Sequence, residues 1–270
     1  MSMAVMKKQL ITSFLRKFKI LHLADKTRFY IQKYKNNKAN KKFKAEHPEV
    51  KLPPDYLIYE SFQLNYHKYY VQSKEAARKL VRHFSKHIDL KDKKILDWGC
   101  GPGRIIRHFP EIVGNGCSYY GTDYNVRSIN WCSHNLKEIS FNKNTLEASL
   151  PYDDNFFDVI YGLSIFTHLS EEMHNHWYDE LYRVLKPQGI MLLTTQGDTY
   201  KPKMTPVELD LYNKGQLVVR GKVKEGHRIF SAFQPKRFME TLFSNATIVD
   251  HIELSAVGKW YPQDKWIIRK

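Results

Sequence analysis

Ile95-Leu96-Asp97-Trp98-Gly99-Cys100-Gly101-Pro102-Gly103 is the stretch that decides the fold of this chain. Two apolar residues end a buried strand, an acid stands at its tip, and three alternating glycines lead toward a helix start. Glycine lacks Cβ, so the backbone can turn sharply and let a ligand lie against its amides. The carboxylate inside the loop would repel a phosphate, so a zwitterionic or cationic ligand fits better. Arg104 stands where the third glycine of a dinucleotide fingerprint would fall, and no Lys-Ser/Thr pair follows. Neither a dinucleotide nor a nucleoside triphosphate loop is expected.

The stretches downstream alternate in type. Strand one covers about Lys94–Trp98, and its helix is expected to start near Gly103. Tyr119-Tyr120-Gly121-Thr122-Asp123 reads as a second strand ending in an acid, and a helix follows through Trp131 to Leu136. A short third strand is expected near Leu146–Ala148. The fourth, Phe157 to Leu163, is nearly continuous apolar, as a strand covered on both faces should be. Ser170 can cap the next helix, Glu171 and Glu172 complement its positive end, and Pro187 follows its last turn. Met173, Trp177, Leu181 and Leu185 line its apolar face, and Ile190–Thr195 forms strand five. Upstream, Ser73–His87 reads as a helix with Ala76, Leu80, Val81 and Phe84 on one face. Such alternation means right-handed crossovers and a doubly wound parallel sheet.

The glycine loop resembles motif I of the class I S-adenosylmethionine-dependent methyltransferases, an acid followed by Gly-x-Gly-x-Gly. Three further blocks occur in the family's order: the strand ending at Asp123, the segment Leu150–Ile160 (LPYDDNFFDVI), and Trp177–Pro187 (WYDELYRVLKP). The resemblance covers roughly residues 73–197. It implies an α/β, Rossmann-like, seven-stranded doubly wound sheet, mostly parallel with an antiparallel last strand. Its last two strands are expected near Ala246–Ile252 and Asp264–Ile268. It also implies S-adenosyl-L-methionine as cofactor. By the same resemblance, Asp97 and the backbone at Gly99, Gly101 and Gly103 hold the cofactor's amino-acid end. Asp123 accepts from the ribose hydroxyls, with Tyr124 beside the adenine. Either Leu146 or Glu147 lies at the adenine edge, although the family's Asp-Ala is not matched there. Leu163 and Ser164 line the floor.

Methyl transfer from a sulfonium is an in-line displacement, and effective molarities of about 10⁵–10⁸ M make placement the main catalytic resource. A hydroxyl nucleophile must also lose a proton, for which a positioned base contributes roughly 10²–10⁴-fold. His168, in Ile165-Phe166-Thr167-His168-Leu169, lies just beyond strand four, where open α/β sheets bind their ligands. Its ordinary pKa suits proton transfer near neutrality. The alternative is a histidine hydrogen-bonded only for structure. His67, Tyr70 and His227 are rival bases.

A closer resemblance joins Phe166-Thr167-His168-Leu169, Thr194-Thr195-Gln196-Gly197 and Glu225–Pro235 to a subgroup of bacterial methyltransferases that often accompany glycan-assembly enzymes. Gln188 departs from that family's usual Pro-Gly-Gly turn. Residues 198–236 break the strand–helix alternation. Lys201-Pro202-Lys203 and Thr205-Pro206 open a helix, and Gln216–Val219 with Arg228–Phe233 suggest a hairpin around Glu225-Gly226. Inserts after strand five commonly cover the acceptor pocket in this family. Arg220, Lys222, Lys224, His227 and Arg228 make the insert basic, which suits an anionic acceptor or a solvated strand edge.

The net charge of +15 is unevenly placed. Residues 1–51 hold 14 Lys/Arg against 3 Asp/Glu, a net of +11, which leaves +4 for the rest. Ile11, Phe14, Leu15, Phe18, Leu21 and Leu23 recur close to helical spacing among these cations. Residues 1–54 therefore read as a basic amphipathic arm and residues 55–270 as the methyltransferase domain. The arm suits an anionic membrane surface at about 1 kcal/mol per cation. Its apolar stripe would serve equally to pack on the domain, and RNA is the alternative partner. The three cysteines show no Cys-x-x-Cys pair, so a reducing, cytoplasmic setting is expected, peripheral docking at the inner membrane face included, and no metal site. The reading is O-methylation of a saccharide, glycolipid or small-molecule hydroxyl. RNA methylation and a non-catalytic, membrane-associated protein that kept the cofactor fold are the alternatives.

Overall fold

Every residue of β4, Phe157–Gly162, is buried, because β4 lies at the centre of a seven-stranded sheet with apolar layers on both faces. The computed structural model describes residues 21–114, 116–221, 225–226 and 230–270. The sheet order is β3-β2-β1-β4-β5-β9-β8, built from β1 (Lys94–Trp98), β2 (Ser118–Asp123), β3 (Ile139–Lys143), β4, β5 (Leu185–Thr195), β8 (Thr247–Ile252) and β9 (Asp264–Arg269). The first five strands pair in parallel. Strand β9 runs antiparallel to both β5 and β8. The doubly wound sheet with its antiparallel last strand is the expected one. Gln188 takes a φ of 66° in the turn inside β5, where a glycine would be unstrained.

Two expected elements lie elsewhere. The third strand is Ile139–Lys143, and residues 146–148 form loop. This edge strand fully buries only Ile139, so it carries little apolar signal, and the Leu146–Ala148 assignment is corrected. The segment after Gly103 is a run of turns and a short 3₁₀ turn, Ile106–His108, before helix Phe109–Val113 begins. Pro110 explains the delay: it is tolerated in a first helical turn but would break a helix begun at Gly103.

The N-terminal segment adds its own layer. Helix α1 (Leu21–Glu46) packs Phe29 and Phe43 against Ile58 and Tyr59 of α2 (Asp55–Ser61) and against Leu64, Tyr66 and Tyr69. Polar side chains at helical spacing hold it there. Asp25 accepts from the Tyr59 hydroxyl at 2.8 Å, Gln32 from the Leu64 amide at 3.2 Å, Asn36 from the Asn65 amide group at 3.0 Å, and Asn40 from the Tyr66 amide at 2.9 Å. The expected stripe from Ile11 to Phe18 lies outside the described residues, as do the side chains of Leu21 and Leu23. A π-helical turn, Lys68–Gln72, then feeds α3 (Ser73–Phe84), which buries Ala77, Leu80 and Phe84.

Beyond β5, a 3₁₀ segment (Asp198–Lys203) leads to helix Pro206–Asn213, whose Thr205 and Glu208 form a capping box. Strands β6 (Val218–Arg220) and β7 (Ser231–Phe233) form the expected antiparallel hairpin. Arg220 is engaged within this insert, donating to Glu208 at 2.7 Å and to the Lys203 carbonyl at 2.8 Å. The other cations assigned to the insert, Lys222, Lys224, His227 and Arg228, lie outside the described residues.

Candidate active site

Strands β1, β2 and β4 end side by side, and the loops leaving them surround an open cavity of about 930 Å³ counted to its mouth. Asp97, Gly99, Gly101, Asp123, Tyr124, Leu163, Ser164 and His168 line it. A second cavity, about 420 Å³, shares Gly99, Asp123, Tyr124 and His168 and adds Trp98, Asn144, Leu146 and Trp177.

The glycine loop turns at positive φ, 76° at Gly99, 53° at Gly101 and 71° at Gly103, but the glycines serve different ends. A Cβ on Gly99 would overlap Ile165, and one on Gly103 would stand 2.7 Å from Leu136. Gly103 is buried against helix α4 (Val126–Asn135) and its loop, and it does not line the cavity. A Cβ on Gly101 would meet only Ser61, at 3.5 Å, across the cavity wall. The loop's amides are also engaged within the protein. Gly99 and Cys100 donate to the Thr122 carbonyl at 2.8 and 2.9 Å, and Gly101 donates to Asp123 Oδ2 at 2.8 Å. What the loop offers a ligand is shape and carboxylate charge.

Asp97 is 4% exposed, and burial pushes its pKa up to about 7 against the opposing pull of Tyr161 and Arg104. Arg104 lines the same cavity, donates to Ser73 Oγ at 3.1 Å and lies over the Phe62 ring. Burial also raises Asp123, whose two oxygens accept from the Gly101 and Asn125 amides. Two carboxylates and one guanidinium in one cleft match a ligand with both a cationic and an anionic end. Ser164, in the left-handed region at φ 65°, is held there by its amide donating to Thr194 Oγ1 and its hydroxyl donating to Gln263 Oε1.

His168 sits in a 3₁₀ turn, Phe166–His168, directly after β4. Its ring Nδ1 is 2.7 Å from the Phe230 carbonyl. A carbonyl only accepts, so Nδ1 carries the proton in this bond, and Nε2 holds the lone pair of the neutral ring. A buried network fixes the turn. His174 Nδ1–H donates to the Ser170 carbonyl at 2.7 Å. Gln234 Nε2 donates to His174 Nε2 at 3.1 Å and to the Phe166 carbonyl at 3.0 Å. Burial lowers His174 to about 4, which keeps it neutral in this role. The insert reaches the same turn: the Gly226 amide donates to the His168 carbonyl at 2.9 Å, and Glu225 accepts from the Ser170 amide. Gly226 lines both cavities.

Of the two residues considered for the adenine edge, Leu146 lines the second cavity while its carbonyl accepts from Trp177 Nε1 at 3.1 Å. Glu147 is exposed and lines neither cavity, because the chain here is a loop rather than the expected strand. His67 is exposed, and Tyr70 packs against His108 and Arg107, so neither lines a cavity. His227 lies outside the described residues. Sequence reasoning missed Leu57, Glu60 and Ser61, which wall the first cavity from α2. It also gave no site role to Arg104, although Arg104 follows the last loop glycine directly.

Residues 95–189 match the family model of the methyltransferase domain. A sterol 24-C-methyltransferase from Schizosaccharomyces pombe is 29% identical over 102 residues, 36% of this chain and 26% of that enzyme. A ubiquinone biosynthesis O-methyltransferase from Bartonella tribocorum is 26% identical over 165 residues, 60% of this chain and 63% of that enzyme. This chain thus spans less than two thirds of the length of either relative. A solved protein from Pyrococcus horikoshii shares the fold with a TM-score of 0.54 at 19% identity, over 75% of this chain and 95% of that one.

Proposed function

We propose that this chain, a member of the class I S-adenosylmethionine-dependent methyltransferases, catalyses O-methylation of a hydroxyl on a saccharide, glycolipid or related small molecule. The observation that carries the reading is one cavity lined by Asp97, Arg104, Asp123 and His168 at the ends of three adjacent strands. S-adenosylmethionine, when bound, supplies a methyl group on a sulfonium that is already a good leaving group. Asp97 faces the ammonium of the cofactor's amino-acid end and Arg104 its carboxylate. Asp123 accepts from the ribose hydroxyls, with Tyr124 and Leu146 beside the adenine. Gly99 and Gly101 allow the close approach, and Leu163 and Ser164 form the floor. His168 takes the acceptor's proton at Nε2, with its ring oriented by the Phe230 carbonyl. Two things support oxygen as the methylated atom: a histidine at this junction, and the O-methyltransferase named among the relatives.

Residues 55–270 make up the catalytic unit, with 198–236 over the acceptor side. Residues 1–54 form a basic arm that holds the enzyme at an anionic membrane surface on the cytoplasmic side. A second reading, RNA methylation, is favoured by the exposed Tyr30 and Tyr34 among the lysines of α1, since aromatic rings between cations suit stacked bases.

The deciding experiment transfers radiolabelled methyl from S-adenosylmethionine into extract, separated into lipid, glycan, small molecule, RNA and protein. Label in the first three supports the proposal. Label confined to RNA promotes the second reading, and no label in any fraction overturns both.

A further inference from the structure

A second cluster of charged groups stands outside the cavity, at the base of the 253–263 loop. His251, near the end of β8, and Glu253, just after it, close on Asp264, the first residue of β9. One potential ligand atom from each lies within 4.8 Å of the other two. Asp264 is 3% exposed. His251 Nε2 is 3.4 Å from Asp264 Oδ2, yet the pair makes no hydrogen bond. Among the described residues His251 Nε2 and Asp264 Oδ1 are buried without a hydrogen-bond partner.

That arrangement is costly in protein alone. A carboxylate taken out of water needs hydrogen bonds, a counter-charge or a metal, and an imidazole nitrogen needs a partner. The surroundings nevertheless hold both groups in place. The His251 ring stacks on Trp266 with centroids 3.6 Å apart, and Trp266 is itself anchored by its Nε1–H donating to Thr195 Oγ1. Gly197 packs so closely on the Asp264 carboxylate that a Cβ there would overlap it.

We propose that His251, Glu253 and Asp264 bind a divalent transition-metal ion of the zinc class, which clamps the two ends of the 253–263 loop. Two donors each about 2.1 Å from such an ion at a tetrahedral angle stand about 3.4 Å apart, the separation of His251 Nε2 and Asp264 Oδ2. An imidazole beside two carboxylates favours a late first-row ion over magnesium or calcium. Three protein donors leave one position for water. The clamp bears on the cavity through the next residue, because Gln263 Oε1 accepts from both Ser164 and Thr194.

The test titrates Zn²⁺ into the chelator-treated full chain against a chromophoric chelator, with Co²⁺ absorption as a check on geometry. The expected result is one ion per chain, tetrahedral Co²⁺ bands, and slower proteolysis in the 253–263 loop once metal is bound. Asp264→Asn abolishes binding. Glu253→Gln, at an exposed position that leaves folding intact, weakens it at least about tenfold. Absence of stoichiometric binding overturns the proposal. So does binding that survives both Glu253→Gln and His251→Gln unchanged, since the ion would then sit on other histidines.

Discussion

The Tyr69 hydroxyl donates to the Pro102 carbonyl at 2.9 Å, a buried bond that ties the N-terminal aromatic core to the glycine loop. Tyr69 is fully buried, so its partner cannot turn to water instead. Tyr69→Phe should lower stability by about 1–2 kcal/mol, the cost of leaving a carbonyl unsatisfied. It should also weaken S-adenosylmethionine binding by up to roughly tenfold. Urea denaturation and titration calorimetry on the same variant check both, and an unchanged affinity would mean that the loop holds its shape without the N-terminal layer.

Asp97 sets a pH dependence. Its folded-state pKa of about 7 lies above the unfolded value of about 3.9, so between these limits the native state binds more protons than the unfolded chain. Stability attributable to Asp97 is therefore full below about pH 4 and is lost as pH rises through 7. Binding runs the other way, because an ammonium prefers the ionised carboxylate. Affinity should rise as pH passes 7, and Asp97→Asn should flatten both trends. Calorimetry across that range with a flat wild-type profile would remove Asp97 from the cofactor's cationic end.

Asp123→Ala removes the acceptor assigned to the ribose hydroxyls and also frees the Gly101 and Asn125 amides. Hydrogen bonds to a charged group are worth about 1.5–3 kcal/mol, so affinity should fall at least about tenfold. Wild-type affinity in this variant would sink the assignment.

Gly99 and Gly101 should respond differently to alanine. Gly99→Ala forces a Cβ into Ile165 and should cost about 1–3 kcal/mol of stability beyond the backbone strain. Gly101→Ala meets ordinary contact at 3.5 Å and should cost about 1–2 kcal/mol from its left-handed conformation alone. Its larger effect should be on cofactor affinity, since the methyl group would stand at the cavity wall. Thermal unfolding and calorimetry of the pair separate packing from binding.

His168→Ala should slow single-turnover methyl transfer by roughly 10²–10⁴-fold while cofactor affinity stays near wild type. The split matters, because a histidine that served only to anchor the insert would change binding and stability but not the chemical step.

The strands around the glycine loop were legible because their physics is local. Val159 and Ile160 in β4 and Leu192 and Leu193 in β5 carry the continuous apolar signature of strands covered on both faces, and an acid beside glycines marks the ligand end. Strand β3 was not legible, since an edge strand that buries only Ile139 leaves no pattern to read. The contacts that dock helix α1 were not legible for a related reason. Asp25, Gln32, Asn36 and Asn40 hold it through single hydrogen bonds to a segment about thirty residues away, and composition reports charge, not partners.

The linear chain already carried the class of sheet, the glycine loop at the strand ends and the histidine after the fourth strand. These depend on residues a few positions apart, where backbone geometry and burial period leave few choices. That Gly103 packs while Gly101 faces the cavity, that Phe230 sets the His168 tautomer, and that His251 and Asp264 meet comes from the folded arrangement of the layers. Each of these joins residues brought together by a crossover or a strand pairing. Their distances follow from how the layers pack, and no spacing along the chain encodes them.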